Sequence, residues 1–452
     1  MNLAVVILAA GESTRMKSEQ PKVLHLLAGK PMISYSVETA AQLGAGKPIL
    51  VVGHGMEQVR EVVGDAAEYV VQAKRLGTGH AVLQARPVLE GRCDTVLVTY
   101  GDMPLLTEET LRRLIALQAE GCSPVVILTL LADDPRGFGR VVRDAEGRVL
   151  GIVEAVDCTP EQLAIRELNA GVYCFDAPWL WEHLPRLPLS RKGEYYLTDL
   201  VGLAASEGVD VATVTTDNEA ECLGINTRVH LAEAEKVMRQ RINRRWMLEG
   251  VTLVDPATTY IDVTVEIGQD TVIYPNTHLR GQTHIGRRCA IGPDCVLVDT
   301  IVGDNCKIQL SVAEGALLED DVDVGPFAHL RKGAHLARGV HMGNFGEVKN
   351  SYLGPGTKMG HFSYVGDATV GAEVNISAGT ITCNYDGVRK HRTIIEEGAF
   401  IGSDTMLVAP VRVGAGAKTG AGSVVTRDVP PGSVVYGVPA RVRPKKEKEQ
   451  GE

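Results

Sequence analysis

The 452-residue sequence predicts two folds in one chain: an α/β domain on an open, parallel-type sheet, then a parallel β-helix. Three observations carry this. Strand and helix patterns alternate over roughly the first 200 residues, which means an open α/β sheet. A single amphipathic stretch follows. From about Ile267 to Val425 there then runs a six-residue apolar period. Hexapeptide periodicity is a signature of the parallel β-helix, whose short strands stack into coils with the periodic residue inward. A sandwich would alternate with period two and vary in spacing.

Composition narrows the class. Apolar residues make up 44% and charged residues 23%, as in an ordinary soluble protein. A net charge of −10 argues against a nucleic-acid binder. Nine cysteines contain no CxxC pair, so neither a zinc ribbon nor a disulfide framework is indicated. The first apolar run lacks a basic region ahead of it and is too short to span a membrane. A reduced, cytoplasmic compartment without a membrane partner is expected.

Leu3 to Ala10 is a near-continuous apolar run, the pattern of a strand buried on both faces. It runs into Gly11-Glu12-Ser13-Thr14-Arg15-Met16, a turn with hydroxyl and basic residues. Backbone N–H groups there can face a phosphate, with Arg15 and then Lys22 neutralising it. An ordinary strand–loop turn fits the same residues. Helices are expected over Ser34 to Leu43 and Met56 to Val63, and strands over Ile49 to Val52 and Val96 to Thr99. The last strand ends at Tyr100-Gly101-Asp102. Open α/β sheets bind ligands beyond the carboxyl ends of their strands, where Gly11 and Asp102 both fall. Asp102 there can hold Mg²⁺ for polyphosphate chemistry, or cap a helix.

From Asn226 to about Glu249, Leu231, Ala234, Met238 and Ile242 share one helical face. Arg239, Arg241, Arg244 and Arg245 read as its solvated side. Beyond it, Leu318, Val324, Leu330, Leu336 and Met342 fall six apart, as do Leu353, Met359 and Val365, and Ile395, Ile401, Leu407 and Val413. Cys289 and Cys295 read as fillers of the same repeat. Two stretches break the rhythm. Between Met342 and Leu353 the interval is eleven, which predicts a loop over residues 343–350. The second break is the polar run beginning Cys383-Asn384-Tyr385-Asp386-Gly387. Departures from a solenoid repeat tend to form the binding face, and His361 and Tyr364 lie near both. Histidine is a natural general base near neutral pH, although a lone histidine in a repeat is more often structural.

The order of motifs resembles the sugar-phosphate nucleotidyltransferases: Leu8-Ala9-Ala10-Gly11-x-x-Thr14-Arg15-Met16, Pro21-Lys22-Val23-Leu24, Gln72, Leu76-Gly77-Thr78-Gly79-His80-Ala81, Tyr100-Gly101-Asp102, Gly139-Arg140, Glu154, Asn169-Ala170-Gly171 and Gly224-Ile225-Asn226. With the hexapeptide half behind, the whole resembles the family of bifunctional N-acetylglucosamine-1-phosphate uridyltransferase / glucosamine-1-phosphate N-acetyltransferases. The resemblance implies a left-handed β-helix, with 1–226 as uridyltransferase and 250–440 as acetyltransferase; the shared helical face makes 227–249 a helical linker, and the charged end without apolar residues after Val442 makes 441–452 a disordered tail. It further implies that Leu8, Ala9, Ala10, Gly11, Lys22, Gln72, Gly77, Thr78, Tyr100 and Gly101 bind UTP. Gly139, Glu154 and Asn169 would hold N-acetylglucosamine, and Asp102 and Asn226 would hold Mg²⁺. The family often has glycine where Ser13 stands. In the second half, Arg331, Lys349, Tyr364 and Asn375 would bind glucosamine-1-phosphate. Ala378, Asn384, Tyr385, Ser403 and Ala421 would contact acetyl-CoA. His361 would be the base, with Glu347 orienting it. A homotrimer is implied. His329, His335 and His341 invite a metal reading, but six residues apart in such a helix they lie on successive faces. The alternatives are a glucose-1-phosphate uridylyl- or thymidylyltransferase with a hexapeptide domain of different sugar preference, or a solenoid with a non-catalytic role.

Overall fold

The computed structural model describes residues 2–11, 14–53, 55–121 and 123–443; Glu12 and Ser13 of the expected phosphate loop and residues 444–452 of the tail expected over 441–452 lie outside them. The chain divides into two compact units, residues 1–238 and 239–452.

In the first unit the strand Leu3–Leu8 lies between Ile49–Val52 and Thr95–Tyr100, parallel to both. Val6 and Leu8 enter one hydrophobic core and Val5 and Ile7 the other, so both faces are covered and the apolar run has no polar alternation. The helices Met32–Gln42 and Glu108–Ala119 cover one face, through Ile33, Val37, Leu111 and Leu114. The helix Asp199–Ser206 covers the other, through Leu200, Val201 and Ala204. Beyond Thr95–Tyr100 come Glu167–Asp176, Val125–Leu131 and Ala212–Thr216; Glu68–Val71 closes the opposite edge. Glu167–Asp176 runs antiparallel to both neighbours, so the sheet is mixed at that point.

The helix Arg228–Leu248 buries Ala234, Met238, Ile242 and Trp246 at four-residue steps. The guanidinium of Arg239 lies 4.5 Å from the Tyr260 ring centre, and that of Arg245 lies 4.5 Å from Trp246.

The second unit is a left-handed β-helix of three parallel sheets. Leu330 pairs with Val348 and Met342 with Met359, eighteen and seventeen residues on, so each coil takes three hexads. The expected loop over 343–350 is corrected by the structure. Val348 is fully buried in the strand Glu347–Lys349, six residues after Met342, and Leu353 follows after five. The polar run after Cys383 is a true insertion, which lengthens the Val370-to-Ile395 coil to twenty-five residues.

A second inward ladder runs two residues before the large apolar one: Thr271, Cys289, Cys306, Ser311, Ala328, Thr357 and Thr380 are all buried. Cys289 and Cys295 belong to this ladder of small residues. Most of its hydroxyls meet carbonyls, as Thr271 does Gly286 at 2.8 Å and Thr357 Gly371 at 2.8 Å, while those of Thr277 and Thr393 are buried without a partner among the described residues. His329, His335 and His341 sit on three different sheets, each against its own carboxylate: Glu314, Glu319 and Asp323. At one corner the rings of Phe327, Phe345 and Phe362 stack at 5.2 and 5.0 Å. The strand Val434–Gly437 turns back on Ala440–Val442 in antiparallel pairing.

Candidate active sites

A cleft of about 740 Å³ opens in the first unit, lined by Leu8, Ala9, Ala10, Gly11, Lys22, Gln72, Gly77, Thr78, Tyr100 and Asp102. Two backbone bonds bring its loops together: Ala9 donates to Val51 at 2.8 Å and Gly101 to Leu8 at 3.0 Å. Gly101 is closely packed: a Cβ there would lie 2.6 Å from Ile33 Cδ1, which would have to move aside. Gly77 has φ +97°, and a Cβ there would lie 2.5 Å from the Tyr195 oxygen. The turn is sewn to the next segment by Tyr195 N to Leu76 O at 2.7 Å, Gly79 N to Tyr195 O at 2.9 Å and Leu197 N to Thr78 Oγ1 at 2.9 Å. Arg75, Glu194 and Tyr196 also line the cleft, and no motif singled them out; they reach it through that tertiary seam.

Asp102 does not cap a helix; Thr107 caps Glu108–Ala119. Instead Lys22 Nζ donates to Asp102 Oδ2 and to Asn226 Oδ1, the latter at 2.9 Å. Arg15, which is exposed, donates to the same Asn226 oxygen at 3.0 Å. The backbone of Ile225 donates to Asp102 O at 2.9 Å, which fixes the two segments side by side. Two hard oxygen donors thus converge on one cation, the ammonium, and this donor set fits Mg²⁺.

Gly139, Glu154 and Asn169 stand outside the lining of the cleft. Asn169 donates to Tyr173 Oη at 2.8 Å and accepts from Gly171 N at 3.1 Å, which shapes the irregularity between Asn169 and Tyr173. Glu154 accepts from Thr198 at 3.2 Å, and burial pushes its carboxyl up from the ordinary value. Burial, then the charges of Asp102 and Glu154, also raise the Tyr100 phenol.

In the solenoid, register places His361, Ala378, Ser403 and Ala421 at one corner of four successive coils. The residue after each donates to the one before in the stack: Gly379 to His361 at 2.9 Å, Asp404 to Ala378 at 2.7 Å and Gly422 to Ser403 at 2.8 Å. The small side chains leave a line of low relief running away from the histidine. Glu347 does not orient His361; it pairs with Arg331 at 2.8 Å. The amide oxygen of Asn344, one coil back, accepts from His361 Nδ1. Nε2 therefore carries the lone pair.

Lys349 ends the strand Glu347–Lys349 of the next sheet, and Arg331 directly follows the strand His329–Leu330 paired with it. Arg331 and then Lys390, from the inserted loop, hold the Lys349 ammonium below its ordinary pKa. Three cations gathered in this way suit a phosphate. Beside them Asp367 accepts from Asn384 at 2.6 Å and from Asn350 at 2.6 Å, while the Asn384 amide reaches Tyr364 Oη at 3.4 Å. Tyr385 is exposed and bonds its own loop at Gly387 O, 2.6 Å away. Asn375 lies on the preceding sheet, bonded to Ser377 at 3.0 Å. Sequence reading missed Asn344, Asp367 and Lys390, which meet their partners only once the coils stack.

A phosphate-ready cleft at strand ends in one unit, and a solenoid carrying an oriented histidine and a cluster of cations in the other, define a two-site group-transfer enzyme. Residues 5–150 match the MobA-like NTP transferase domain, and residues 264–298 and 392–427 match the bacterial transferase hexapeptide (six repeats). The chain is 51% identical to the bifunctional protein GlmU of Heliobacterium modesticaldum, over 95% of this chain and 94% of that one. It is 49% identical to that of Geobacillus sp. WCH70, over 94% and 93%. With that of Pelobacter propionicus it shares 48%, over 96% and 95%. The chain belongs to the GlmU family: it is a bifunctional enzyme with uridyltransferase and acetyltransferase activities. That membership favours the bifunctional reading over the alternative sugar preference and over a silent solenoid.

Proposed function

We propose that the solenoid acetylates glucosamine-1-phosphate from acetyl-CoA, and that the first unit then joins the N-acetylglucosamine-1-phosphate to UMP from UTP, releasing pyrophosphate. The observations that carry the acetyl half are the Asn344–His361 hydrogen bond and the cation cluster of Arg331, Lys349 and Lys390 on the coils that share that stack. The cations hold the sugar phosphate, and Nε2 of His361 takes a proton from the amine as its nitrogen attacks the thioester carbonyl. The C–S bond breaks and CoA leaves as the thiolate, which takes up a proton. Ala378, Ser403 and Ala421 leave room for the donor along the corner, and Asn384 and Tyr385 border it. Tyr364 and Asn375 complete the sugar side.

In the uridylyl half, a phosphate oxygen of the sugar attacks the α-phosphorus of UTP and the bond to pyrophosphate breaks, without a covalent enzyme intermediate. Leu8 to Gly11, Gln72, Gly77 and Thr78 hold the nucleotide, and Gly139, Glu154 and Asn169 hold the sugar. Arg15 and Lys22 offset the triphosphate charge. Asp102 and Asn226 would hold Mg²⁺, which when bound neutralises phosphate oxygens. The exposed stack of Phe327, Phe345 and Phe362 beside His361 supports a homotrimer with shared acetyl-CoA sites. Among the described residues no helix is long and apolar enough to cross a membrane, which suits a cytoplasmic enzyme. His361→Ala tests the assignment: acetyl transfer is lost and uridylyl transfer persists. Loss of both, or of neither, counts against it.

A further inference from the structure

Gln72 is itself held in place. Its Nε2 donates to the Gly77 carbonyl at 3.0 Å and lies 3.0 Å from His80 Nδ1. A carbonyl oxygen only accepts, so the NH₂ end of the amide is turned toward Gly77, and its second hydrogen meets the Nδ1 lone pair. His80 is then the neutral tautomer protonated on Nε2. Burial lowers the His80 pKa, which favours the neutral ring. On the far side of the ring the Gln84 amide nitrogen, which donates to the His80 carbonyl at 3.0 Å, stands 3.3 Å from Nε2; a neutral ring has one acceptor nitrogen, and the shorter 3.0 Å contact of Gln72 assigns it to Nδ1. Gln72 is 6% exposed and lines the cleft. With its NH₂ committed, what its amide offers the cleft is Oε1, an acceptor.

We propose that His80 sets the nucleobase choice of the uridylyl site by fixing the Gln72 amide with its oxygen toward the base. The inference rests on the placement of the nucleotide in this cleft proposed above. Uracil carries an N3–H donor between its two carbonyls, whereas cytosine has a bare N3 acceptor at the same position. A fixed oxygen accepts from the first and repels the second. Without the Nδ1 acceptor only the Gly77 carbonyl holds the amide, and turning it over to offer N–H to cytosine sacrifices one hydrogen bond instead of two. His80 is therefore a positioning residue, acting through Gln72 without touching the nucleotide.

The test is kcat/KM for UTP and for CTP, with N-acetylglucosamine-1-phosphate as acceptor, in the full-length enzyme and two variants. His80→Leu removes the acceptor. His80→Asn brings a side-chain oxygen near the Nδ1 position. We expect His80→Leu to lower the UTP-over-CTP preference about tenfold, chiefly through KM, the effect of roughly one hydrogen bond. His80→Asn should retain most of the preference. Equal ratios in His80→Leu and the unsubstituted enzyme overturn the proposal, as does a His80→Asn variant no better than His80→Leu. An unsubstituted enzyme that takes CTP as readily as UTP instead sinks the placement of the nucleotide. Should His80→Leu fail to fold, ¹⁵N NMR of histidine-labelled protein decides: an Nε2–H tautomer for His80 supports the proposal and an Nδ1–H tautomer ends it.

Discussion

Asn344 and His361 occupy the same corner of consecutive coils, and the amide oxygen of the first accepts from Nδ1 of the second. One hydrogen bond thus sets both the ring orientation and the nitrogen that carries the lone pair. Asn344→Ala should lower kcat for acetyl transfer about tenfold, the scale of one lost orienting bond, with uridylyl transfer unchanged. Asn344→Asp places a negative charge on Nδ1–H and should move the acidic limb of the acetyl-transfer pH profile to higher pH, because a carboxylate favours the charged ring. Rates of CoA release across pH 5 to 9 (on the order of the histidine range) check both. An unshifted limb in Asn344→Asp refutes the role.

The convergence of Asp102 and Asn226 on Lys22 predicts a metal-dependent uridylyl transfer and a metal-independent acetyl transfer. Chelation should stop pyrophosphate release and spare acetyl transfer. Asp102→Asn should cost the uridylyl reaction about a hundredfold or more, as the loss of a group stabilising developing charge does. Survival of uridylyl transfer in excess chelator would contradict the donor-set argument.

Met359 is fully buried and pairs with Met342 and Ile376 on the neighbouring coils. Met359→Ala should destabilise the protein by about 2–5 kcal/mol, through lost transfer energy and the cavity left behind. Urea unfolding followed by circular dichroism reads this as a lower midpoint. A change below about 1 kcal/mol would mean that the coil collapses around the gap.

Glu154 gives a pH signature. Burial raises its carboxyl above the ordinary value. A carboxyl raised on folding binds its proton more tightly in the native state. Its stabilising share is present below the ordinary pKa and is lost as pH rises through the raised value. Glu154→Gln should therefore melt near the unsubstituted protein in acid and above it at neutral and alkaline pH. A melting-temperature difference independent of pH refutes the burial argument.

The large apolar residues of the solenoid were readable because Leu330, Leu336 and Met342 cannot be mistaken for surface positions. The ladder beside them was not. Thr271, Cys306, Ser311 and Thr357 are buried with their hydroxyls or thiol turned to backbone, yet the same residue types serve equally on a surface. Val348 was passed over because its coil closes in seventeen residues and the next apolar residue comes five later. In the first unit, Gly11 and Asp102 followed from strand ends, where chain direction alone fixes the position of a ligand. The grips of Lys22 on Asn226 and of Asn344 on His361 join residues 204 and 17 apart, so they exist only as products of folding.

A stack of parallel coils has no intrinsic last member: its terminal strand exposes the same row of donors and acceptors that recruited it. In one of this chain's three sheets the growing edge ends at Val434–Gly437, where Ala440–Val442 doubles back against the strand direction. The returning strand occupies those groups and presents a reversed pattern that a further parallel coil cannot match. Removing the chain from Ala440 onward should uncap the edge, and light scattering should then report end-to-end association of otherwise folded molecules.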